Sequence, residues 1–293
     1  MKDILPLLQY CLVFVISKCL SLIPLSKLHG IARFYANRAI KKNSKRYAIT
    51  RKNIQLCLPN YTKVEQQALA IESIHAASKH VVEIPHLFAS SHKKCMSYIN
   101  AVHGAELLDA AASQDNSTMI IGPHIGNSEM IGVYISSKYP ICALYKPEKN
   151  SYLEKFITTG RVKNGNNLSL LPTNPYGIKR LVMALRQNGM VWISPDHNPD
   201  SVSSIDVPFF NLQTPTSILT AKLIKQMQPT VLIAQAIRIE DKFNIIFNEP
   251  STPLVGDLEQ ITTAVNANLE QCIKQNITQY QWHYDRFRHI QPT

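Results

Sequence analysis

Residues 118–129 read Thr-Met-Ile-Ile-Gly-Pro-His-Ile-Gly-Asn-Ser-Glu. The first four form a short apolar run that predicts a buried β-strand, and Asn127 or Ser128 is of the type that caps a helix starting directly afterwards. A turn between a strand and a helix would present His124 to any substrate that binds there. The stretch therefore predicts a strand, a turn and a helix with a candidate catalytic residue between them.

The same stretch sets a carboxylate, Glu129, five residues after His124. From the first helical turn, Glu129 is expected to come back beneath the imidazole, hold one tautomer and favour the imidazolium, as a general base for a hydroxyl requires. Gly126 is expected to leave room beside the histidine. With 10 histidines and 20 acidic residues among 293, a pair with this spacing also arises by chance, so a structural histidine that caps a helix stays an alternative.

Short apolar patterns alternate with helical patterns along most of the chain. A helix is predicted over residues 64–88, closed by Pro85. After it, strands are predicted at residues 119–121, 141–144, 168–171, 190–194, 231–239 and 243–247, and helices at 128–137, 151–162, 176–187, 217–227 and 258–277. This alternation predicts an α/β fold with a mixed, mostly parallel sheet flanked by helices, and with ligands at the carboxyl ends of the strands.

Composition excludes several other classes of protein. A chain of 293 residues with 45% hydrophobic content can bury a large core, which argues against disorder. The six cysteines form no Cys-x-x-Cys pair and no Cys/His cluster, so neither a disulfide framework nor a zinc knuckle is indicated. This distribution fits a reducing compartment.

The formal charge of +11 is concentrated near the N-terminus. Residues 26–53 hold nine Lys or Arg and no acidic residue, so this stretch favours an anionic partner or surface. A solvated helical face is the plain alternative. Nucleic acid is disfavoured, because no zinc finger or RNA-binding motif accompanies the charge.

The segment before the basic block is apolar. Residues 4–25 contain Lys18 as their one interior charge and approach the ~20 residues that cross a bilayer. We expect residues 1–25 to be a membrane anchor that spans the bilayer or lies in its interface, and residues 26–293 to be one catalytic domain. The basic block after the apolar run favours retention of that domain in the cytoplasm. Residues 280–288 interleave aromatic with basic side chains, which suits a membrane interface or an anionic head group.

Two regions after the predicted strand 141–144 could contact a substrate. Residues 145–150 are a polar turn that opens the helix ending near Arg161. An arginine there could bind a phosphate or stabilise an oxyanion, or it could simply complement the helix dipole. Farther on, residues 207–210 and 214–216 predict a hydrophobic hairpin or edge that either lines an acyl-chain tunnel or packs in the core.

Asp196 and His197 follow the predicted strand 190–194. Together with His124 and Glu129 they could form a metal site, but residues so far apart in sequence give no metal-ligand spacing. An Asp in this position more often bonds backbone amides to fix a loop. We therefore predict no metal and no cofactor.

Seven landmarks follow one another along the chain. They are Arg51-Lys52-Asn53-Ile54 with Cys57-Leu58-Pro59; residues 122–129; Tyr145-Lys146-Pro147 with Asn150; Gly160-Arg161; Pro195-Asp196-His197; Val207-Pro208-Phe209-Phe210 with Thr214 and Thr216; and Gln279-Tyr280-Gln281-Trp282-His283 with Arg286-Phe287. Single landmarks are weak, but their shared order is specific. Together they resemble the lipid A biosynthesis acyltransferase family, the late acyltransferases that add lauroyl or myristoyl chains to lipid A precursors, within the glycerolipid acyltransferase superfamily.

The resemblance implies direct acyl transfer without a covalent acyl-enzyme. His124, oriented by Glu129, would take the proton from an acceptor hydroxyl as that hydroxyl attacks the thioester of an acyl carrier protein. Arg161 and Asp196 would support charge and geometry. The further substrate or oxyanion contacts implied are Asn127, Gly126 and Lys146.

The resemblance also implies a setting for the enzyme. It predicts an anionic glycolipid acceptor and a catalytic domain on the cytoplasmic side of the inner membrane. Two residues depart from the family pattern: Ser128 stands where an aromatic is usual, and Lys146 where Arg is usual, which loses a planar bidentate fork. The departures leave open another glycolipid or aminolipid acceptor. A non-catalytic lipid-binding protein and a metal-dependent hydrolase are also compatible with the sequence.

Overall fold

A computed structural model describes residues 4–165, 167–199 and 203–290 of the chain. The described residues form eleven α-helices: α1 (Ile4–Leu22), α2 (Leu25–Lys41), α3 (Lys45–Cys57), α4 (Lys63–Ala89), α5 (His92–Met96), α6 (Ala105–Ser113), α7 (Glu129–Lys138), α8 (Ser151–Asn164), α9 (Pro175–Arg186), α10 (Leu219–Met227) and α11 (Leu258–Gln275). Their nine strands are β1 (Ile99–His103), β2 (Thr118–Ile121), β3 (Ile141–Tyr145), β4 (Leu168–Pro172), β5 (Met190–Ile193), β6 (Ser204–Phe209), β7 (Leu212–Ser217), β8 (Thr230–Ile239) and β9 (Lys242–Asn248).

Seven strands make one sheet in the order β1-β9-β8-β2-β5-β3-β4. Every pair is parallel except β8 with β9. The expected mixed, mostly parallel α/β sheet is therefore confirmed. The predicted hairpin is also present, because β6 and β7 pair antiparallel as a separate ribbon.

The apolar sequence of β2 places this strand at the centre of the core. All four of its residues are buried, and successive side chains point to opposite faces of a strand. Met119 and Ile121 accordingly pack in the cluster that α9, α10 and α11 cover, whereas Ile120 packs with α7 on the other face. Burial on both sides explains why this strand is a continuous apolar run.

Several elements differ from expectation, among them helix α6, where no helix was predicted. The strand β1 pairs with β9 at the edge of the sheet and had no counterpart in the predicted pattern. Helix α4 continues through Pro85 to Ala89, because Leu87 and Phe88 are buried by tertiary packing that outweighs the hydrogen bond a proline removes. Helix α10 begins at Leu219, two residues later than expected, because Ser217 is still paired with β6.

The N-terminal helix α1 packs on the rest of the fold. Lys18 Nζ donates to the carbonyl of Ala89 at 3.2 Å, and Nδ1 of His86 lies 2.8 Å from the carbonyl oxygen of Leu20. None of the helices in the described part of the chain combines the length and the apolar character needed to cross a bilayer. The structure therefore does not support the expected spanning anchor.

The C-terminal segment that follows α11 is buried, not spread on the surface. Tyr280, Trp282, Arg286 and Phe287 are each at most 4% exposed. The indole N–H of Trp282 donates to the carbonyl of Ile277 at 2.6 Å. These contacts correct the expectation that residues 280–288 form a membrane-facing patch, and they place the segment against the loop after β2.

Candidate active site

The register of two neighbouring strands brings together residues that lie far apart in sequence. Ile121 of β2 pairs with Ile193 of β5 in a parallel ladder. His124 and Asp196 each come three residues after the paired positions, so both emerge at the same carboxyl edge of the sheet. This edge is where an open α/β sheet binds its ligands.

The loop between β2 and α7 is fixed by main-chain hydrogen bonds on both sides. The N–H of Gly126 donates to Gln279 at 3.0 Å, and the N–H of Asn127 donates to Ala236 at 2.9 Å. Gly126 has a φ of 59°, and a Cβ at this position would overlap the carbonyl oxygen of Ala236. Its glycine is thus required by a left-handed backbone and a close approach to β8, which is a different reason from the expected space beside the histidine.

His124 is held by a buried carboxylate. Its Nδ1 lies 2.6 Å from Oδ1 of Asp196, and its backbone N–H donates to Oδ2 of the same residue at 2.9 Å. Asp196 is 1% exposed. Burial alone would lower the pKa of His124, but the charge and hydrogen bond of Asp196 outweigh burial, and the pKa of His124 is raised. The ring thus has a set orientation, and its Nε2 makes no hydrogen bond to any residue that the structure describes.

Glu129 has a different partner from the one expected. It accepts three hydrogen bonds from Arg161: Nε donates to Oε2 at 2.9 Å and to Oε1 at 3.2 Å, and Nη2 donates to Oε1 at 2.6 Å. Burial raises the pKa of Glu129, but the guanidinium overcomes this, and the pKa is lowered. The expectation that Glu129 holds the imidazole from beneath is wrong, because Asp196 occupies Nδ1. Glu129 instead fixes Arg161 as a bidentate pair.

Three aromatic rings form a stack that begins with the His124 ring. The centroids of His124 and His197 are 3.8 Å apart with planes at 9°, and those of His197 and Tyr284 are 3.9 Å apart at 13°. Burial, and then the nearby charge on His124, lower the pKa of His197 to about 4. His197 is therefore neutral near pH 7 and covers one face of the imidazole.

The structure brings together only some of the residues that could form a metal site. Ligand atoms of His124, Asp196 and His197 all lie within 4.8 Å of one another, whereas Glu129 is paired with Arg161. Both carboxylate oxygens of Asp196 already bond to His124. The donor set is compatible with a metal ion, but the hydrogen bonds present are those of an oriented histidine.

A buried ion pair lies under the loop. Glu83 is 0% exposed and bonds Arg238 at 2.5 Å (Oε1 to Nε) and 2.6 Å (Oε2 to Nη2). His29 Nε2 lies 2.7 Å from Oε1, and Asn127 Nδ2 donates to Oε2 at 3.0 Å. Burial would raise the pKa of Glu83, but Arg238 holds that pKa well below its ordinary value. Glu83 thus supports the loop between β2 and α7 from below.

Two predicted substrate contacts consequently have structural roles. Asn127 is 0% exposed, does not line the cavity at the site, and donates its side-chain amide to Glu83. Gly126 likewise lies against β8 instead of facing the cavity. The expectation that these two residues contact substrate or an oxyanion is corrected. The expected side-chain cap of α7 is absent: Ser128 is the N-cap residue but makes no side-chain hydrogen bond to the helix, and the side-chain amide of Asn127 is bonded to Glu83.

A cavity of about 750 Å³ opens at the carboxyl edge of the sheet and is lined by His124, Glu129, Arg161 and the exposed Lys146. One set of lining residues, which we call the apolar arm, is hydrophobic: Gly132, Val133, Ala143, Leu168, Leu170 and Trp192. A second set, the polar arm, carries amides, hydroxyls and an amine: Asn174, Ser194, Asn198, Ser217, Thr220 and Lys222. Such a volume suits a large organic ligand.

Comparison with known proteins agrees with this architecture. Residues 3–289 match the family model described as bacterial lipid A biosynthesis acyltransferase. The chain belongs to that family. A lipid A biosynthesis acyltransferase of Haemophilus influenzae is 24% identical over 267 residues, covering 89% of this chain and 82% of that protein. A lipid A biosynthesis lauroyltransferase of Escherichia coli is 22% identical over 254 residues, covering 85% and 81% respectively.

A lipid A biosynthesis palmitoleoyltransferase of Escherichia coli is also similar, at 24% identity over 247 residues, or 83% of this chain and 79% of that protein. The protein is accordingly an acyltransferase of the lipid A biosynthesis family, as the resemblance implied. Its relatives carry different acyl groups in their names, so membership leaves the acyl group of this chain to be argued from its own cavity.

Sequence reasoning missed the residues that support the site of this lipid A biosynthesis acyltransferase from below. Glu83 and Arg238 lie 155 residues apart, and neither belongs to a motif. The one available signal was a pair of charged residues inside apolar patterns, Glu83 within a helical run and Arg238 within a strand, since charges are almost never fully buried unless they are paired.

Proposed function

We propose that this acyltransferase moves a fatty acyl chain from the thioester of an acyl carrier protein to a hydroxyl of a lipid A precursor, with His124 as general base. The observation that carries the proposal is the His124 imidazole, held at Nδ1 by buried Asp196 and lining a cavity that has one apolar arm. Acyl transfer to an alcohol needs such an oriented base beside a space for the chain.

The reaction follows from this geometry. Nε2 of His124 takes the proton of the acceptor hydroxyl as its oxygen attacks the thioester carbonyl, and a tetrahedral oxyanion forms. The C–S bond then breaks, an ester results, and the thiolate leaves with the proton returned by the imidazolium. Arg161 lines the same cavity and is the candidate to stabilise the oxyanion, with Glu129 holding the guanidinium in place.

The catalytic role of His124 predicts a specific pH dependence for Asp196→Asn. Because the base must be neutral, wild-type activity rises with pH through the raised pKa of His124. Removing the carboxylate lowers this pKa, so the acid limb of kcat/KM should move to lower pH. The plateau rate should fall by roughly 100-fold or more, because the tautomer is no longer fixed. An acid limb that stays at the wild-type pH would contradict the pairing.

The apolar arm is the proposed site of the acyl chain, and Gly132 is the position that should limit its length. A Cβ on Gly132 would come within 3.1 Å of Cζ3 of Trp192 and 3.9 Å of Cδ2 of Leu168. Gly132→Ala should therefore lower kcat/KM for the longest accepted donor by roughly fourfold per methylene displaced, while shorter donors are unaffected.

The length profile is measured with a series of acyl carrier protein thioesters that differ only in chain length. Gly30→Ala is the matched control, since a Cβ there meets nothing within 4 Å. Both changes place alanine in a helix, which favours helix formation. A Gly132→Ala enzyme with an unchanged chain-length profile would place the acyl chain elsewhere.

The proposed partners and location rest on charge and exposed apolar surface. The nine basic residues of 26–53 fall mainly on α2 and α3 and suit an acidic carrier protein or an anionic leaflet. Leu12 and Val15 of α1 and Phe34 and Tyr35 of α2 are all exposed, as expected of helices that lie in an interface. We place the enzyme on the cytoplasmic side of the inner membrane, without a nucleic-acid partner.

The function is tested with the purified full-length protein, an acyl carrier protein thioester and a lipid A precursor. The acceptor should gain the mass of one acyl chain, and one carrier thiol should be released per ester formed. Ser128 and Lys146 both line the cavity, so another glycolipid or aminolipid is the second acceptor to assay. Failure of transfer to every acceptor, with no thiol release, would reject the proposed function.

A further inference from the structure

The first turn of α10 opens onto the active-site cavity. Residues 217–220 line the cavity, as does Lys222. The backbone N–H groups of Thr220 and Ala221 donate to no residue that the structure describes, as expected for the first turn of a helix. These groups, together with the helix dipole, give this end of the cavity a positive electrostatic character.

A buried hydroxyl in the same turn lacks a partner. Thr220 is 2% exposed and lines the cavity, and its Oγ1 makes no hydrogen bond within the described part of the chain. A threonine in a helix usually returns its hydroxyl to a carbonyl one turn earlier. An unused buried donor beside an open cavity points to a ligand that supplies the acceptor.

The surrounding charges favour an anion. Lys222 adds an ammonium group on the cavity wall. Of the three carboxylates that line the cavity, two are engaged elsewhere: Glu129 pairs with Arg161, and Glu154 accepts from the hydroxyl of Tyr145 and from the backbone N–H of Glu148. The third, that of Glu148, belongs to an exposed residue. The start of α9, with Asn174 as its N-cap, lies along the same polar arm.

We propose that the first turn of α10, with Thr220 and Lys222, binds a phosphate group carried by a substrate of this enzyme. The inference rests on the proposed function and extends it, because an acyl transfer needs the second part of each substrate to be held while the carbonyl reacts. Two substrates could bring the phosphate: the phosphopantetheine arm of the acyl donor, or a phosphorylated glycolipid acceptor. Either would present oxygens to backbone N–H groups, a hydroxyl and an ammonium.

Two variants test the site in the full-length protein. Lys222→Met removes the ammonium from an exposed side chain, and Lys225→Met is the matched control, three residues along the same helix and absent from the cavity wall. Thr220→Val removes the hydroxyl. Because that hydroxyl has no partner, the Thr220→Val protein should keep or raise its melting temperature, whereas a structural threonine would lower it.

The donor assay compares lauroyl-phosphopantetheine with lauroyl-pantetheine, which differ by one phosphate. The acceptor assay compares a disaccharide glycolipid with and without its phosphate. In the assay whose phosphate binds at this site, Lys222→Met and Thr220→Val should each raise KM for the phosphorylated compound by roughly tenfold. The kcat of each variant should stay within about twofold of the wild-type value. KM for the compound without phosphate should not change, and Lys225→Met should behave as wild type.

A binding measurement separates failure of this inference from failure of the proposed function. Line broadening in ³¹P NMR of phosphopantetheine, and of the phosphorylated glycolipid in detergent, reports phosphate binding without turnover. If the wild-type protein transfers no acyl chain but broadens one of these signals, and Lys222→Met abolishes the broadening, the phosphate site stands and the proposed function falls. If transfer proceeds and neither variant alters KM or line width with the donor or with the acceptor, the phosphate site is rejected.

Discussion

Replacing His124 with alanine should lower acyl transfer by about 1,000 to 10,000-fold, the upper part of the range for loss of a general base. In the proposed mechanism the imidazole receives the hydroxyl proton, and Asp196 can no longer orient it once the ring is gone. The measurement is single-turnover ester formation from an acyl carrier protein thioester, followed by mass spectrometry. KM for the donor should change little, because the chain and carrier bind elsewhere in the cavity.

His103→Ala is the matched control for this variant, since His103 is exposed on the edge strand β1. Both proteins should be folded at the assay temperature. His103→Ala should unfold near the wild-type temperature, whereas His124→Ala should unfold at a lower one, because the buried carboxylate of Asp196 loses its imidazole partner. Near-normal turnover by a folded His124→Ala protein would eliminate the general-base mechanism. A loss that imidazole added to the buffer partly restores would support it directly.

Glu83→Gln should destabilise the protein by about 3 to 5 kcal/mol, measured as the free energy of unfolding in urea. The substitution keeps the shape of the side chain but leaves Arg238 charged and buried, with its side chain 4% exposed. The same change turns one of the two acceptor oxygens into an N–H donor, so either Asn127 in the loop after β2 or His29 loses its acceptor. Activity should therefore fall together with stability.

The surface pair of Asp109 with Lys138 provides the comparison. Their side chains are 46% and 35% exposed, so Asp109→Asn should cost no more than about 1 kcal/mol. Converting both Glu83 and Arg238 to methionine should recover part of the loss seen with Glu83→Gln, because no lone buried charge remains. A loss for Glu83→Gln no larger than that for Asp109→Asn would show that the pair is not desolvated.

The strands around the site could be predicted because burial on two faces makes them continuous apolar runs. Residues 119–121 and 190–194 were recognised in this way, within one residue of β2 and β5. Edge strand β1 could not be predicted from the sequence, because its burial pattern is mixed and because it pairs with β9, a strand more than 140 residues away in sequence. Helix α4 was predicted within one residue at each end, although Pro85, which was expected to close it, lies inside the helix, because the packing of Leu87 outweighs the local propensity of proline.

The sequence indicated individual residues of the site, but not which of them pair with one another. His124 and Asp196 were both recognised as polar residues following strands, yet their contact depends on the β2–β5 register, which joins positions 72 residues apart in sequence. The short spacing from His124 to Glu129 suggested the wrong pair. Left-handed Gly126 turns the chain between them, so the carboxylate points to α8 while the ring points to the loop after β5.

The loop between β2 and α7 depends on a part of the chain made much later. Gln279 accepts the N–H of Gly126, and the N–H of Gln281 donates to the carbonyl of His124 at 3.2 Å. During synthesis, residues 118–129 leave the ribosome long before residues 279–281 exist, so the nascent chain lacks these two hydrogen bonds to the loop. Contacts of such long sequence separation also form late in folding. We therefore expect a growing chain that ends before residue 279 to leave this loop, and with it the backbone of His124, incompletely fixed.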